Sequence, residues 1–169
     1  MVRKLLNTGN DLSLTMVRVV LGMVFFAHGA QKMLGWFGGD GFSGSMGFFT
    51  QKLGIPPTLA FLAIAAEFFG GLGLLAGLLS RVAALGIACN MIVAIAMVHA
   101  QNGFFMNWFG KQPGEGIEYH LLVLALALTI MVRGAGAFSL DRLLFRVTGR
   151  KTSGSFQSPG NLPSKEIAA

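Results

Sequence analysis

The chain predicts an all-α, polytopic membrane protein: a four-transmembrane-helix bundle with a short C-terminal amphipathic helix. Four apolar segments carry that reading, at 14–34, 60–79, 82–100 and 119–132. Each is at or near the ~20 residues with which a helix crosses a ~30 Å hydrocarbon core. Composition agrees. Hydrophobic residues make up 53% and charged residues 12%, where a soluble domain carries about 25% charged. Mean hydropathy is +0.64. A chain of 169 residues has room for four spans and short loops, hence one membrane domain over 1–150 and a tail over 151–169.

Arg3 and Lys4 precede the first apolar segment, as in a secretory leader. Mostly polar or small residues over 7–14 separate them from it, and the segment is too long for a leader's apolar core. His28 would also occupy one of the two small positions before a cut after Ala30, so the segment reads as a retained span. Ser13 is placed to cap it, and Gly35, Gly38, Gly39 and Gly41 end it. The loop 35–56 mixes these glycines with Trp36, Phe37, Phe42, Phe48 and Phe49. That mixture suits an interfacial aromatic belt or a short re-entrant segment.

Pro56 and Pro57 sit where a helix start tolerates missing N–H groups. Only 77–81 joins the second and third spans, which predicts a tight antiparallel hairpin. The single cysteine, Cys89, lies in the third span and leaves no intramolecular disulfide. A second glycine–aromatic loop follows at 102–117, and Leu34-Gly-Trp-Phe-Gly38 is echoed there by Met106-Asn-Trp-Phe-Gly110. The fourth span stops near Gly134. Over 138–150, Leu140, Leu143, Leu144 and Val147 share one face while Arg142, Arg146 and Arg150 take another. That pattern is a basic amphipathic helix suited to a leaflet surface, with Ser139 as its cap. Serine, glycine and proline dominate 151–169, which predicts disorder.

The net charge of +6 is a topology signal and implies no nucleic-acid partner. Arg3, Lys4, Arg81, Arg133, Arg142, Arg146, Arg150, Lys151 and Lys165 fall on one side of a four-span protein. Lys32, Lys52 and Lys111 fall on the other. Nine against three, with Arg18 inside the membrane near enough to one surface to snorkel, puts both termini in the cytoplasm. The predicted location is a bacterial-type inner (plasma) membrane.

Ionisable side chains in hydrocarbon cost roughly 2.5–3.5 kcal/mol even on the milder insertion scale, so they usually line a bundle interior. At ~1.5 Å per residue, His28 lies roughly 9 Å and Lys32 roughly 3 Å below the outer end of the first span. Glu67 lies roughly 10 Å below the outer start of the second. His99 closes the third span, and Glu118 and His120 open the fourth. Every span thus brings a titratable group to the outer half, and His28, Lys32, Glu67, His99, Glu118 and His120 form a candidate polar pocket. The bland reading of Glu67 is a partner for Lys32 that ties two helices together. The ligand types would suit a metal, but no local spacing motif such as H-x-x-x-H is present, and none is assigned. A flat, amphipathic redox carrier such as a quinone fits better, its ring covered by aromatic loops and its protons exchanged with His and Glu.

Several motifs resemble the DoxX family. Val17-Arg18 and Gly22, followed by His28-Gly29-Ala-Gln31-Lys32, resemble its first-helix signature. Glu67-x-x-Gly70-Gly71, Gly77-Leu78-x-x-Arg81, Asn102-Gly103-Phe104-Phe105, Glu118-Tyr119 and Ser139-x-Asp141 follow in order. The likeness runs over about 13–142. It implies a four-helix inner-membrane protein, in a family named after a subunit of a terminal quinol oxidase and linked to membrane oxidoreductase complexes and oxidative-stress responses. The family supplies no settled catalytic set. The expected function is therefore a subunit or accessory of a quinone-linked redox system, in the lipid bilayer beside other membrane redox subunits. A non-catalytic structural or assembly partner stays open as the alternative, and a small transporter behind it.

Overall fold

In the computed structural model residues 5–153 are described, and they hold helices and no strands. Arg3, Lys4 and most of the tail expected to be disordered lie outside the described residues.

Helix α1 is Leu12–Leu34. Its cap is Asp11, whose carboxylate accepts from the Ser13 N–H at 2.9 Å and the Leu14 N–H at 3.3 Å. Ser13, the expected cap, lies inside the first turn because the stronger anionic acceptor stands two residues earlier. Gly35 ends the helix in the left-handed region at φ 72°. The first glycine–aromatic loop is itself helical: a 3₁₀ turn at Trp36–Gly38, α2 at Gly41–Gly47 and a π turn at Phe48–Lys52. Helix α3, Pro57–Ala76, starts on proline as expected. Gly77, Leu78 and Leu79 turn the chain into α4, Ser80–Ala94, which continues through a π turn at Ile95–His99 and a 3₁₀ turn at Ala100–Asn102. After the second loop come α5, Glu118–Arg133, and α6, Leu140–Ser153.

Three helical stretches are long and apolar enough to cross a membrane: Leu12–Leu34, Pro57–Ala76 and Ser80–Asn102. Helix α5 has 16 residues, about 24 Å of rise. The helices pack in a ring, α1 on α3, α3 on α4, α4 on α5 and α5 back on α1. Leu21, Phe25, Leu74, Ile87, Val123 and Ile130 fill its centre. Met16, Val20, Phe61, Phe69, Ile92 and Leu122 stand exposed on its outside. An apolar exterior around an apolar core is what lipid tolerates and water does not.

Glycine sets the closest approach, between α1 and α3. A Cβ on Gly71 would fall on the backbone of Phe26, and one on Gly29 on the backbone of Phe68. Small residues let helices meet this way without a solvent-driven hydrophobic force. Gly70 faces α4 instead, where a Cβ would meet the Ile87 side chain at an ordinary 3.6 Å. Asn90 ties α4 to α3 by donating to the Ala63 carbonyl at 2.8 Å.

The end of the ring bearing the arginines is closed by a polar knot. Arg18 is 1% exposed, so it does not snorkel. It donates to the carbonyls of Leu74, of Leu75 at 2.9 Å, of Ala135 at 2.9 Å and of Phe138 at 3.2 Å. Asp141, equally buried, accepts from the Leu79 and Ser80 N–H groups at 2.7 and 2.9 Å and so caps α4 from a distance. That cap holds Leu79 at φ 49°, a left-handed conformation costly for a leucine. Ser139 receives the Arg142 N–H at 3.3 Å, as a cap of α6 should.

Candidate functional site

At the opposite, aromatic end, two pairs of ionisable groups come from four elements. The first pair joins α1 to α3. Gly29 and Gly71 bring the helices together, and Lys32 Nζ then donates to Glu67 Oε2 at 2.6 Å. Glu67 is buried and Lys32 half-buried. Phe26 and Phe68 pack beside them with ring centroids 5.7 Å apart. His28, one turn before Lys32, is exposed on the surface yet within electrostatic reach of both Lys32 and Glu67.

The second pair joins α4 to α5. His99 ends the π turn that closes α4, and its ring centroid lies 4.1 Å from that of His120. His99 Nδ1 is 2.8 Å from the Glu115 carbonyl of the second loop. His120 is 5% exposed with the Gly116 backbone in hydrogen-bonding reach, and its Nδ1 makes no well-aligned bond to any of the described residues.

Glu118 belongs to neither pair. Its Oε1 accepts from the Met106 N–H at 2.9 Å, so this carboxylate is spent holding the loop 103–117. That loop is tightly tied. The Gly116, Ile117 and Glu118 N–H groups donate to the Phe105, Gly103 and Phe104 carbonyls. Asn107 and Gln112 bond reciprocally across the turn, at 3.0 and 2.9 Å. It forms a fixed cover beside His99, with Trp108 and Phe109 exposed on its tip.

Tyr119 connects the two pairs and was missing from the residues picked out by depth. Its ring meets His120 edge-on at 5.5 Å, while Glu67 lies within its electrostatic reach. The sequence did carry a signal for it: the chain has 15 phenylalanines and one tyrosine. The polar row therefore runs Lys32, Glu67, Tyr119, His120, His99 across α1, α3, α5 and α4. Among the described residues, no three His, Cys, Asp or Glu side chains converge as metal ligands. The arrangement offers a carboxylate, two imidazoles and a phenol, which can donate, accept and exchange protons.

The sequence profile of the DoxX family matches residues 13–100. The chain belongs to the DoxX family. Among its relatives is the Bacillus subtilis (strain 168) protein named "Putative oxidoreductase CatD", 27% identical over 141 residues, covering 83% of this chain and 93% of that one. Another is "Inner membrane protein YqjF" of Escherichia coli (strain K12), 28% identical over 134 residues, covering 79% and 93%. No solved structure matches the chain. The profile spans α1, α3 and most of the third apolar stretch, and so includes His28, Lys32, Glu67 and His99. Tyr119 and His120 lie beyond it. This DoxX chain is thus a membrane protein of several apolar helices.

Proposed function

We propose that this DoxX protein serves a quinone-linked redox system of the inner membrane, as a subunit or accessory that binds a quinone-type head group at the aromatic end. The observation that carries the reading is the buried Glu67 beside half-buried Tyr119 and buried His120, each with a buried polar atom that lacks a partner. Oxidising a quinol releases two protons and two electrons. Glu67 and His99 are candidates to take the protons, Lys32 to stabilise an anionic oxygen once a protonated Glu67 no longer neutralises it, and His28 and Glu118 to border the site. The electrons would pass to a redox centre of a partner subunit. The name of the Bacillus relative supports a redox role.

Binding of short-chain ubiquinone and menaquinone analogues tests this. Lys32→Ala and Glu67→Ala proteins that remain folded are expected to bind roughly 10- to 150-fold more weakly, the value of about 1.5–3 kcal/mol for a hydrogen bond to a charged partner. His28→Ala should lose less, because that ring is exposed. Equal binding by the parent and all three variants, or none by the parent, would favour the second reading, an assembly partner. The satisfied Lys32–Glu67 pair gives that reading its support, since it already ties α1 to α3.

We further propose that α5 crosses as a fourth span, with both termini cytoplasmic and α6 lying on the cytoplasmic leaflet. A 16-residue helix is short for a ~30 Å core, but local thinning of the bilayer accommodates it. Exposed Leu140, Leu143 and Val147 on α6 suit the leaflet's apolar boundary. Topology reporters fused after 150 are expected to report cytoplasm, and reporters within 35–56 the outer side. The reverse pattern would overturn the orientation.

A further inference from the structure

We propose that Tyr119 and His120 are the residues that read the two ring oxygens of a neutral dihydroxyaromatic head group, within the site assigned above and resting on that reading. Two adjacent residues on the first turn of α5 each bury a polar atom that has no partner: Tyr119 Oη and His120 Nδ1. Native structures pair nearly all such atoms, and Ser80 Oγ and Arg81 Nε at the arginine end are the other two among the described residues; only Tyr119 and His120 put two of them on adjacent residues beside further ionisable groups. Adjacent helical positions point about 100° apart. The Tyr119 ring meets His120 edge-on with Glu67 of α3 in electrostatic reach, while His120 lies against His99 on α4. Both unsatisfied atoms belong to the row that joins the two polar pairs.

The choice of side chain points the same way. A phenylalanine would pack as well as Tyr119, and the chain uses phenylalanine 15 times elsewhere against this one tyrosine. Its hydroxyl has no structural duty in the protein's own hydrogen bonding. His120 has the Gly116 backbone within hydrogen-bonding reach but makes no well-aligned bond through Nδ1, whereas His99 Nδ1 lies 2.8 Å from the Glu115 carbonyl.

Charge decides the ligand class. The cation nearest this row is Lys32, already neutralised by Glu67 at 2.6 Å. A phosphate or carboxylate head group would enter a site whose cation is taken and whose carboxylate repels it. A neutral ring with oxygens on opposite edges can bond to the phenol on one side and the imidazole on the other. It brings no charge that must leave water.

The test has two arms on the purified, delipidated full chain. In the ligand-free arm, Tyr119→Phe is expected to melt at or above the parent temperature, because it removes an unpartnered hydroxyl. A clear fall would reveal a protein partner for that hydroxyl and overturn the assignment whatever binds. In the second arm, short-chain ubiquinol binding is expected to weaken about tenfold in Tyr119→Phe and again in His120→Gln, one neutral hydrogen bond each. Lysophosphatidate is expected not to compete. Parent-like ubiquinol affinity in both variants would overturn this inference while leaving the quinone reading intact. No ubiquinol binding by the parent would overturn both, and competition by lysophosphatidate would overturn the neutral-ligand assignment alone.

Discussion

Arg18→Met is expected to lower stability by about 3–5 kcal/mol, the loss typical of breaking a buried charged network by removing one partner. The guanidinium is the shared donor for four carbonyls that belong to separate pieces of chain. Leu74 and Leu75 end α3, whereas Ala135 and Phe138 lie between α5 and α6. Methionine matches the length of the stem and supplies no donor. Those carbonyls would then face one another in a site that water does not enter. Asp141, within electrostatic reach of Arg18, would keep its charge with less to offset it. Arg18→Lys should recover only part of the loss, since an ammonium is a point donor without the planar fork that bridges two segments. Thermal melting in mild detergent and the amount of protein accumulating in membranes measure the effect. Parent-like melting of Arg18→Met would show that the network adds nothing net to the fold.

This knot marks where the sequence stops being legible. The apolar runs, Gly35, the proline at the start of α3 and the 77–79 turn were all readable, because each acts through its own few residues. Arg18 was not. Its neighbours in sequence are apolar, and its four acceptors are at least 56 residues away along the chain. Depth counting placed it near a surface and predicted snorkelling; the fold instead wraps two loops over it. Asp141 is as hard to place from sequence, since a carboxylate in the first turn of α6 looks like a local helix-dipole residue. It caps a different helix.

At the aromatic end the contrast is sharper. The i, i+4 spacing of His28 and Lys32 and the glycines after Glu67 made a Lys32–Glu67 meeting readable, since small residues announce which helices touch. The helical period alone could not turn His28 outward, because that depends on where α3 docks around α1. Glu118 and Tyr119 exchange importance for the same reason. Depth along a span singles out charged groups, and so the Glu118 carboxylate, which the loop engages. The neutral phenol beside it points into the bundle and carried no charge to notice.

The Lys32–Glu67 pair gives the second large effect, and the two halves of it should differ. Glu67→Ala is expected to lose about 3 kcal/mol, the lower end of the roughly 3–5 kcal/mol for a broken buried pair. The Lys32 side chain is 27% exposed, against 10% for Glu67. A lysine freed of its partner can carry its ammonium on a flexible stem toward the interface. Lys32→Ala should cost more, because the shorter Glu67 carboxylate is buried in mid-helix and has no such route out. Exchanging the residues, Lys32→Glu with Glu67→Lys, keeps one charge of each sign and should recover part of the loss. Melting of the singles and the exchange in the same detergent measures this as a double-mutant cycle. If both singles melt like the parent, the 2.6 Å contact adds no stability, and Glu67 is then better explained by what it offers a ligand than by the helices it joins. If Lys32→Ala is the milder of the two, the carboxylate is satisfied without its lysine, and the pair is not what holds it in place.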